Sequence, residues 1–582
     1  MKPDPRLIFN ITALSLAACA IPGHRASAAD YTWGGGSLDW SDTSALGWNG
    51  GPPSSGDNAT IQNGIVTLTT NNLVNPLASI TLGGTGKLTQ TTGNTWSAFN
   101  NLILSGGTLE STRSSGDAFG AYQLSNTVTV TGSGPSALST NGGGSVFINL
   151  GQAVSDSLTV TTFNVNDVTA SSATDLSVST VLANNIATNF ASFSAAGLAK
   201  SGAGTMSLSA NNSYTGGTTV NGGVLEIAGS SAGNGHIRGN VTVNSGAELR
   251  YTGGDGTGFG FNGGNKLDTI NINGGLVNSQ GGMTHLWGAS VNMTGGELRV
   301  NNGTSSPTGL RIEWNQSTVN TLASASSAIV SGRINLRDDG GYTSAVFNVA
   351  DGSAASDLLV SAAITESGSV GITKNGAGTM ELTGSNSYTG ATLVTAGKLT
   401  VNGNISTSVT TVQSGGTLGG SGTVGSLIVQ AGATVTPGNS SGVLTVDGDY
   451  THAGTLALEI NGLSAGSLHD QIIVDRSAGD GSLSLSGNLS VLFGGGYVPA
   501  NGDLIFILLN DGTDAVTGTF SGLAQNDIVT TYGGFDWRIS YSADASGSSF
   551  LGGNDIALVA VPEPGSILLG GLGMLALLRR RR

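Results

Sequence analysis

Charged side chains are scarce in this chain, with 36 acidic and 21 basic residues among 582, so a place where six of them gather is the first to weigh for chemistry. Arg311, Glu313, Arg333, Arg337, Asp338 and Asp339 fall within about 30 residues of one another. Clustered carboxylates with arginine beside them, on one face of neighbouring coils, are what polysaccharide cleavage needs. A solvated face or loop has the same composition, and the expectation is that none of these residues is catalytic. His236, His285, His452 and His469 show no close metal-ligand pairing, so neither a metal nor a cofactor is expected. Gly263-Gly264-Asn265-Lys266-Leu267-Asp268-Thr269-Ile270 comes one residue short of a calcium-binding nonapeptide. With Lys266 at a required glycine and no tandem copy to share the ion, it reads as a structural turn. No phosphate-binding loop, nucleophile elbow or Cys-X-X-Cys is present.

Aromatic chemistry concentrates between Tyr31 and Ile61. Trp33, Trp40 and Trp48, three of the 7 tryptophans, stand there among Gly, Ser and Asp, followed by Pro52-Pro53 and Asp57. Such rings either close off the first layer of a fold or stack on pyranose rings. The first reading is a cap; the second makes these three the candidate glycan contacts.

The elements that would position all of these are set by a repeat. Lys200 to Gly229, KSGAGTMSLSANNSYTGGTTVNGGVLEIAG, returns at Lys374 to Gly403 as KNGAGTMELTGSNSYTGATLVTAGKLTVNG, with about 17 of roughly 30 positions identical. Alternating segments such as Thr205-Met206-Ser207-Leu208 and Val224-Leu225-Glu226-Ile227 are separated by Gly, Asn and Ser, which is strand and turn chemistry. The run G-A-G-T-M-x-L followed by N-x-Y-T-G resembles the autotransporter-associated β-strand repeat of long secreted bacterial passenger proteins. That resemblance implies an all-β, elongated, right-handed parallel β-helix. The tryptophan segment is likewise similar to the opening of many exported repeat proteins.

Simpler phrases extend the pattern on both sides: Ile65 to Leu68, Ile80 to Leu82, Leu102 to Leu104 and Val128 to Val130, then Val241 to Leu249, Ile270 to Leu276, Val291 to Leu298, Val412 to Leu418 and Val429 to Val435. Their spacing of about 20 to 30 residues suits one solenoid coil. Stacked about 4.8 Å apart, the coils would form a rod on the order of 90 Å long with continuous aliphatic columns inside. Both ends of such a rod must be blocked against edge pairing. The 95 glycines argue against helix and for β corners. The single cysteine, Cys19, lies in the leader, so the body has no disulfide to stabilise it.

Two terminal segments read as delivery signals. Lys2 and Arg6 precede an apolar run from Leu7 to Ile21 and then Ala26-Ser27-Ala28, the order of a secretory signal peptide cut between Ala28 and Ala29. Leu16-Ala17-Ala18-Cys19 offers a competing lipoprotein reading. At the other end, Pro562-Glu563-Pro564, an apolar segment from Gly565 to Leu578 and Arg579, Arg580, Arg581 and Arg582 resemble the PEP-CTERM sorting signal. The resemblance implies an exosortase-like membrane protease as partner. The apolar stretch of about 14 residues is short for a permanent span, so a processed signal with transient inner-membrane anchoring is expected. A bland tail anchor is the alternative.

The expected organisation is a leader at 1–28, a tryptophan-rich cap at 29–64, solenoid at 65–199, the first repeat at 200–229, solenoid at 230–373, the second repeat at 374–403, solenoid at 404–439, closing coils with a β cap at 440–559, and the sorting tail at 560–582. No series of outward-apolar strands of about ten residues suggests a membrane barrel. Setting aside Lys2, Arg6, Arg25 and the four terminal arginines on one side, and Asp4 and Glu563 on the other, moves the formal charge from −15 to about −20. A body this acidic points away from nucleic acid. The expected partners are the Sec translocon, signal peptidase, an exosortase-like protease and exopolysaccharide. The expected role is a non-catalytic, adhesin-like component of the cell surface or extracellular matrix, with an exported polysaccharide-binding or polysaccharide-cleaving protein as the alternative.

Overall fold

Short strands with alternating side chains, broken by glycine every few residues, can bury one face only by stacking coil on coil. The computed structural model describes residues 28–41, 47–48, 51–69, 77–91, 97–113, 120–141, 146–152, 155, 157–186, 193–229, 236–253, 266–281, 283–300, 311–477, 479 and 481–563. Residues 1–27 of the leader, the tail beyond Glu563 and Gly263 to Asn265 of the nonapeptide-like turn lie outside them. Among the described residues every regular element is a strand, and the architecture is a parallel β-helix.

Two faces run along the rod. The first is a sheet of 22 strands beginning at Asp30–Thr32 and ending at Thr517–Gly518, stacked in parallel. The second runs, again in parallel, from Ser37–Asp39 to Asn488–Phe493. A third face forms locally, with Met283–Trp287, Arg311–Asn315, Arg333–Arg337 and Ala363–Ser367 in one sheet. Asn404–Ile405, Thr423–Val424, Val443–Val446, Gln471–Val474 and Leu504–Asn510 carry another. Coil length varies more widely than the sequence phrases suggest. One turn takes the chain from Val412 to Val429, another from Leu138 to Val178. Loops absorb the difference while the strands keep register.

Inside, aliphatic columns follow that register. Val241, Ile270, Val291, Val319 and Phe347 stack in sequence along the first face, all fully buried. Outside, Asn271, Asn292, Asn320, Asn348 and Asn375 on successive strands form a ladder in which each of the last four donates its side-chain amide to the carbonyl oxygen of the asparagine before it, at 2.8 to 3.0 Å. Corners need glycine where coils touch. Gly202 and Gly376, at one position of the two repeats, have φ of +77° and +80°, and a Cβ there would strike the Val165 or Val349 carbonyl of the preceding coil.

Each end is closed differently. At the start, Trp33, Trp40 and Trp48 pack edge to face, with ring centroids 5.1 and 4.7 Å apart. At the finish the parallel pattern reverses: Leu504–Asn510 pairs antiparallel with Asp555–Pro562, which pairs with Phe535–Ala543, which pairs with Ile528–Tyr532. Residues 560–562, the first of the expected sorting segment, also form the end of this closing sheet.

Candidate functional site

The charge cluster assembles on the third face. Parallel register sets His285 beside Glu313, Glu313 beside Asn335 and Asn335 beside Thr365. The Glu313 side chain is wholly buried. The Arg311 Nε donates to its Oε1, while Asn335 Nδ2 (2.8 Å) and Arg337 Nη1 (3.4 Å) donate to its Oε2. Arg337 also donates to both oxygens of Asp339 (2.5 and 3.2 Å) and lies 5.9 Å over the Trp287 ring. The hydrogen bond from Arg337 holds the Asp339 carboxyl below the usual carboxylate range. Asp338 is exposed on the following turn, and Arg333 heads its strand opposite Ala363. Cleaving a glycosidic bond calls for one carboxyl kept protonated. What the arrangement does is tie three coils together, with Arg337 bonded to Glu313 on one coil and lying over Trp287 on another.

A second charged surface was missed by the sequence reading. Glu248 and Arg250 lie on the second face, and Glu297 and Arg299 repeat the same two-residue spacing two coils on, with Leu276 and Asn278 between. Arg250 grips Glu248 through two bonds (2.9 and 2.8 Å), and Asn278 adds a third at 2.8 Å. Desolvation would raise the Glu248 pKa, but these bonds hold it below its ordinary value. Arg299 likewise holds Glu297. Gly246, Gly274, Gly275 and Gly296 leave a shallow trough between the pairs. The recurring Glu-x-Arg was the available signal.

Asp470 is buried immediately before the strand Gln471–Val474. It lines a pocket with Lys398, Asn439, Ser440 and Glu459. Burial pushes its carboxyl up to about 6, although the Gly442 and Glu459 N–H groups donate to it at 2.9 and 2.8 Å. It pins two separate chain segments.

Repeat residues do equally local work. Lys200 stands in an inward column between Phe163 and Val220, and Lys374 between Phe347 and Val394. Each buried ammonium donates to three carbonyls: Ser201, Gly202 and Gly222 in one copy, Asn375, Gly376 and Ala396 in the other. Burial pushes both down to about 8. Asn212 and Asn386 accept the N–H of Leu182 and Ile364 and donate to two carbonyls each. The Tyr214 and Tyr388 hydroxyls bond Thr218 and Thr392 at 2.7 and 2.8 Å.

Burial and hydrogen bonding place the remaining candidate residues. The tryptophans are at most 4% exposed, with Trp48 set edge to face against the other two at the first coil. The four histidines are buried at separate heights of the rod, and no group of three or more potential metal ligands occurs among the described residues. Lys266 Nζ donates to the Trp287 carbonyl at 2.9 Å, a turn-fastening role. Ala28 and Ala29 are exposed, and the Ala29 N–H bonds Asp57 at 3.1 Å. Pro562 and Glu563 end the described chain, while Pro564 and Arg579 to Arg582 lie outside it. Among the described residues no helix is long and apolar enough to cross a membrane; the expected apolar segment from Gly565 to Leu578 lies outside them.

Comparison with known proteins agrees with this construction. The passenger-associated-transport-repeat model matches residues 198–227 and 372–401, and the PEP-CTERM protein-sorting motif matches 560–582. The chain is also 30% identical to part of the adhesin BmaC autotransporter of Brucella suis biovar 1 (strain 1330), over 34% of this chain and 7% of that protein. The chain thus spans only a small fraction of that curated relative's length. Autotransporter-type repeats and a sorting motif in one chain support an exported surface protein.

Proposed function

We propose that the chain is a non-catalytic, adhesin-like rod that crosses the inner membrane through the Sec translocon, loses its leader between Ala28 and Ala29, and is released from transient inner-membrane anchoring by an exosortase-like protease. It then serves at the cell surface or in the exopolysaccharide matrix. The observation that carries this is the sorting motif at 560–582 on a chain with two passenger-type repeats. Cell fractionation with surface proteolysis tests it: the intact chain is expected outside the inner membrane, and deleting residues 565–582 is expected to stop its retention at the surface. Recovery from the cytosol with both ends intact would falsify the proposal.

The trough between the Glu248/Arg250 and Glu297/Arg299 pairs favours polysaccharide binding as a second reading. Its carboxylates are held ionised and can accept hydroxyl hydrogen bonds. The acidic body favours a neutral glycan over an anionic one. A glycan array and a reducing-sugar assay separate binding from cleavage, and silence in both across a broad panel leaves the first reading alone.

A further inference from the structure

The Pro-Glu-Pro run is reached without a linker. Asp555–Pro562 lies inside the closing sheet, with Leu504 opposite Val559 on one side and Phe535, Asp536 and Trp537 opposite Pro562, Val561 and Ala560 on the other. Its start is fastened by Asp555, whose carboxylate accepts the N–H of Asn510 (2.9 Å) and Ala545 (2.8 Å). Its middle is fastened by Ile556, Ala557, Leu558 and Ala560, all fully buried. Ala560 donates its N–H to Asp503 and accepts that of Gly502, both at 2.9 Å. Past the strand, the Glu563 N–H still reaches the Gly534 carbonyl at 3.4 Å. Gly534 closes a two-residue hairpin turn with Gly533, both at positive φ. Proline has no N–H, so Pro562 and Pro564 interrupt the donor row on either side of Glu563. The motif is itself a strand terminator.

We propose that this closing sheet fixes the upstream limit of tail removal, so that the protease cuts on the C-terminal side of Glu563 and the mature chain keeps the whole strand. The inference rests on the sorting reading above. Proteolysis acts on backbone that has left the fold. A bond upstream of Pro562 is exposed only by extracting an interior strand with its four buried side chains, which opens with the cap as a unit. A cut after Glu563 breaks none of these pairings. One amide C–N bond breaks, and the acyl carbon takes its new bond from water or from an acceptor amine; the boundary is the same in both cases.

Intact mass and C-terminal peptide mapping of the full-length chain, recovered from the envelope of its producing bacterium, test this directly. The expected last residue is Glu563 or a later one short of Arg582. A terminus at or before Pro562 overturns the inference while leaving tail removal in place. A terminus still at Arg582 overturns the sorting reading and the inference with it. A second arm inserts a flexible Gly-Ser spacer of about eight residues between Val561 and Pro562, which preserves the strand through Val561. Pulse-chase labelling is expected to show several-fold faster tail loss in that variant, and an unchanged rate overturns control of access by the sheet.

Discussion

Lys200 and Lys374 show what a polar residue must do to sit in an aliphatic column. A charged amine loses its hydration there, and three carbonyl acceptors offset the loss. Lys374→Met keeps the volume but leaves those carbonyls unsatisfied, and urea denaturation is expected to show a loss of about 3 kcal/mol. His452, also inward and fully buried, bonds the Tyr450 hydroxyl at 2.9 Å. Burial lowers its pKa from 6.5 to about 4. Below the unfolded value the open chain gains a proton that the folded one refuses, so stability falls as pH drops from 6.5 towards 4, by up to about 3 kcal/mol. Asp470 works in the opposite sense: its raised pKa lets the folded state keep a proton that the open chain releases, and its contribution weakens as pH rises from 3.8 to about 6. Thermal melts across this range should therefore show the histidine's share as the difference between wild type and His452→Gln, which is expected to be less acid-sensitive.

Elements behave as rungs rather than as independent units. The asparagine ladder joins five coils through side chains alone, so Asn320→Ala removes a bond to the rung below and one to the rung above. A cost of about 1–2 kcal/mol is expected, read as faster hydrogen exchange in Thr318–Thr321 and Ser344–Val349 but not in distant coils, because each rung contacts only its neighbours. The tryptophan cap is a stronger case. Trp48 touches both other rings, and Trp48→Ala is expected to cost about 3–5 kcal/mol locally. Limited proteolysis should then start within Asp30–Thr32 and Asn58–Ile61.

At the scale of the molecule, the two long faces give a continuous ladder from Asp30 to Gly518. Small-angle scattering from the body is expected to report a rod on the order of 90 Å, with a circular-dichroism spectrum free of helix; a compact globule would contradict the stacking. The reversal to antiparallel pairing at Asp555–Pro562 gives the rod a finish that no further coil can continue. It also places the sorting motif at the fixed end of that finish.

Alternation along Thr205–Leu208 and glycine at the corners were enough for the sequence alone to settle strands, coils and stacking, because inward and outward positions follow a local period of two. The two near-identical copies and the Pro-Glu-Pro tail were legible for the same reason: they are contiguous. What the tertiary structure decided is everything that depends on which coil lies on which. Coil lengths differ, from Val412 to Val429 in one turn and from Leu138 to Val178 in another, so spacing along the chain does not give height along the rod. Only stacking brings Arg337 to Glu313, turns Trp33, Trp40 and Trp48 inward, sets Lys374 between Phe347 and Val394, and makes the strand that ends in Pro562 an interior one.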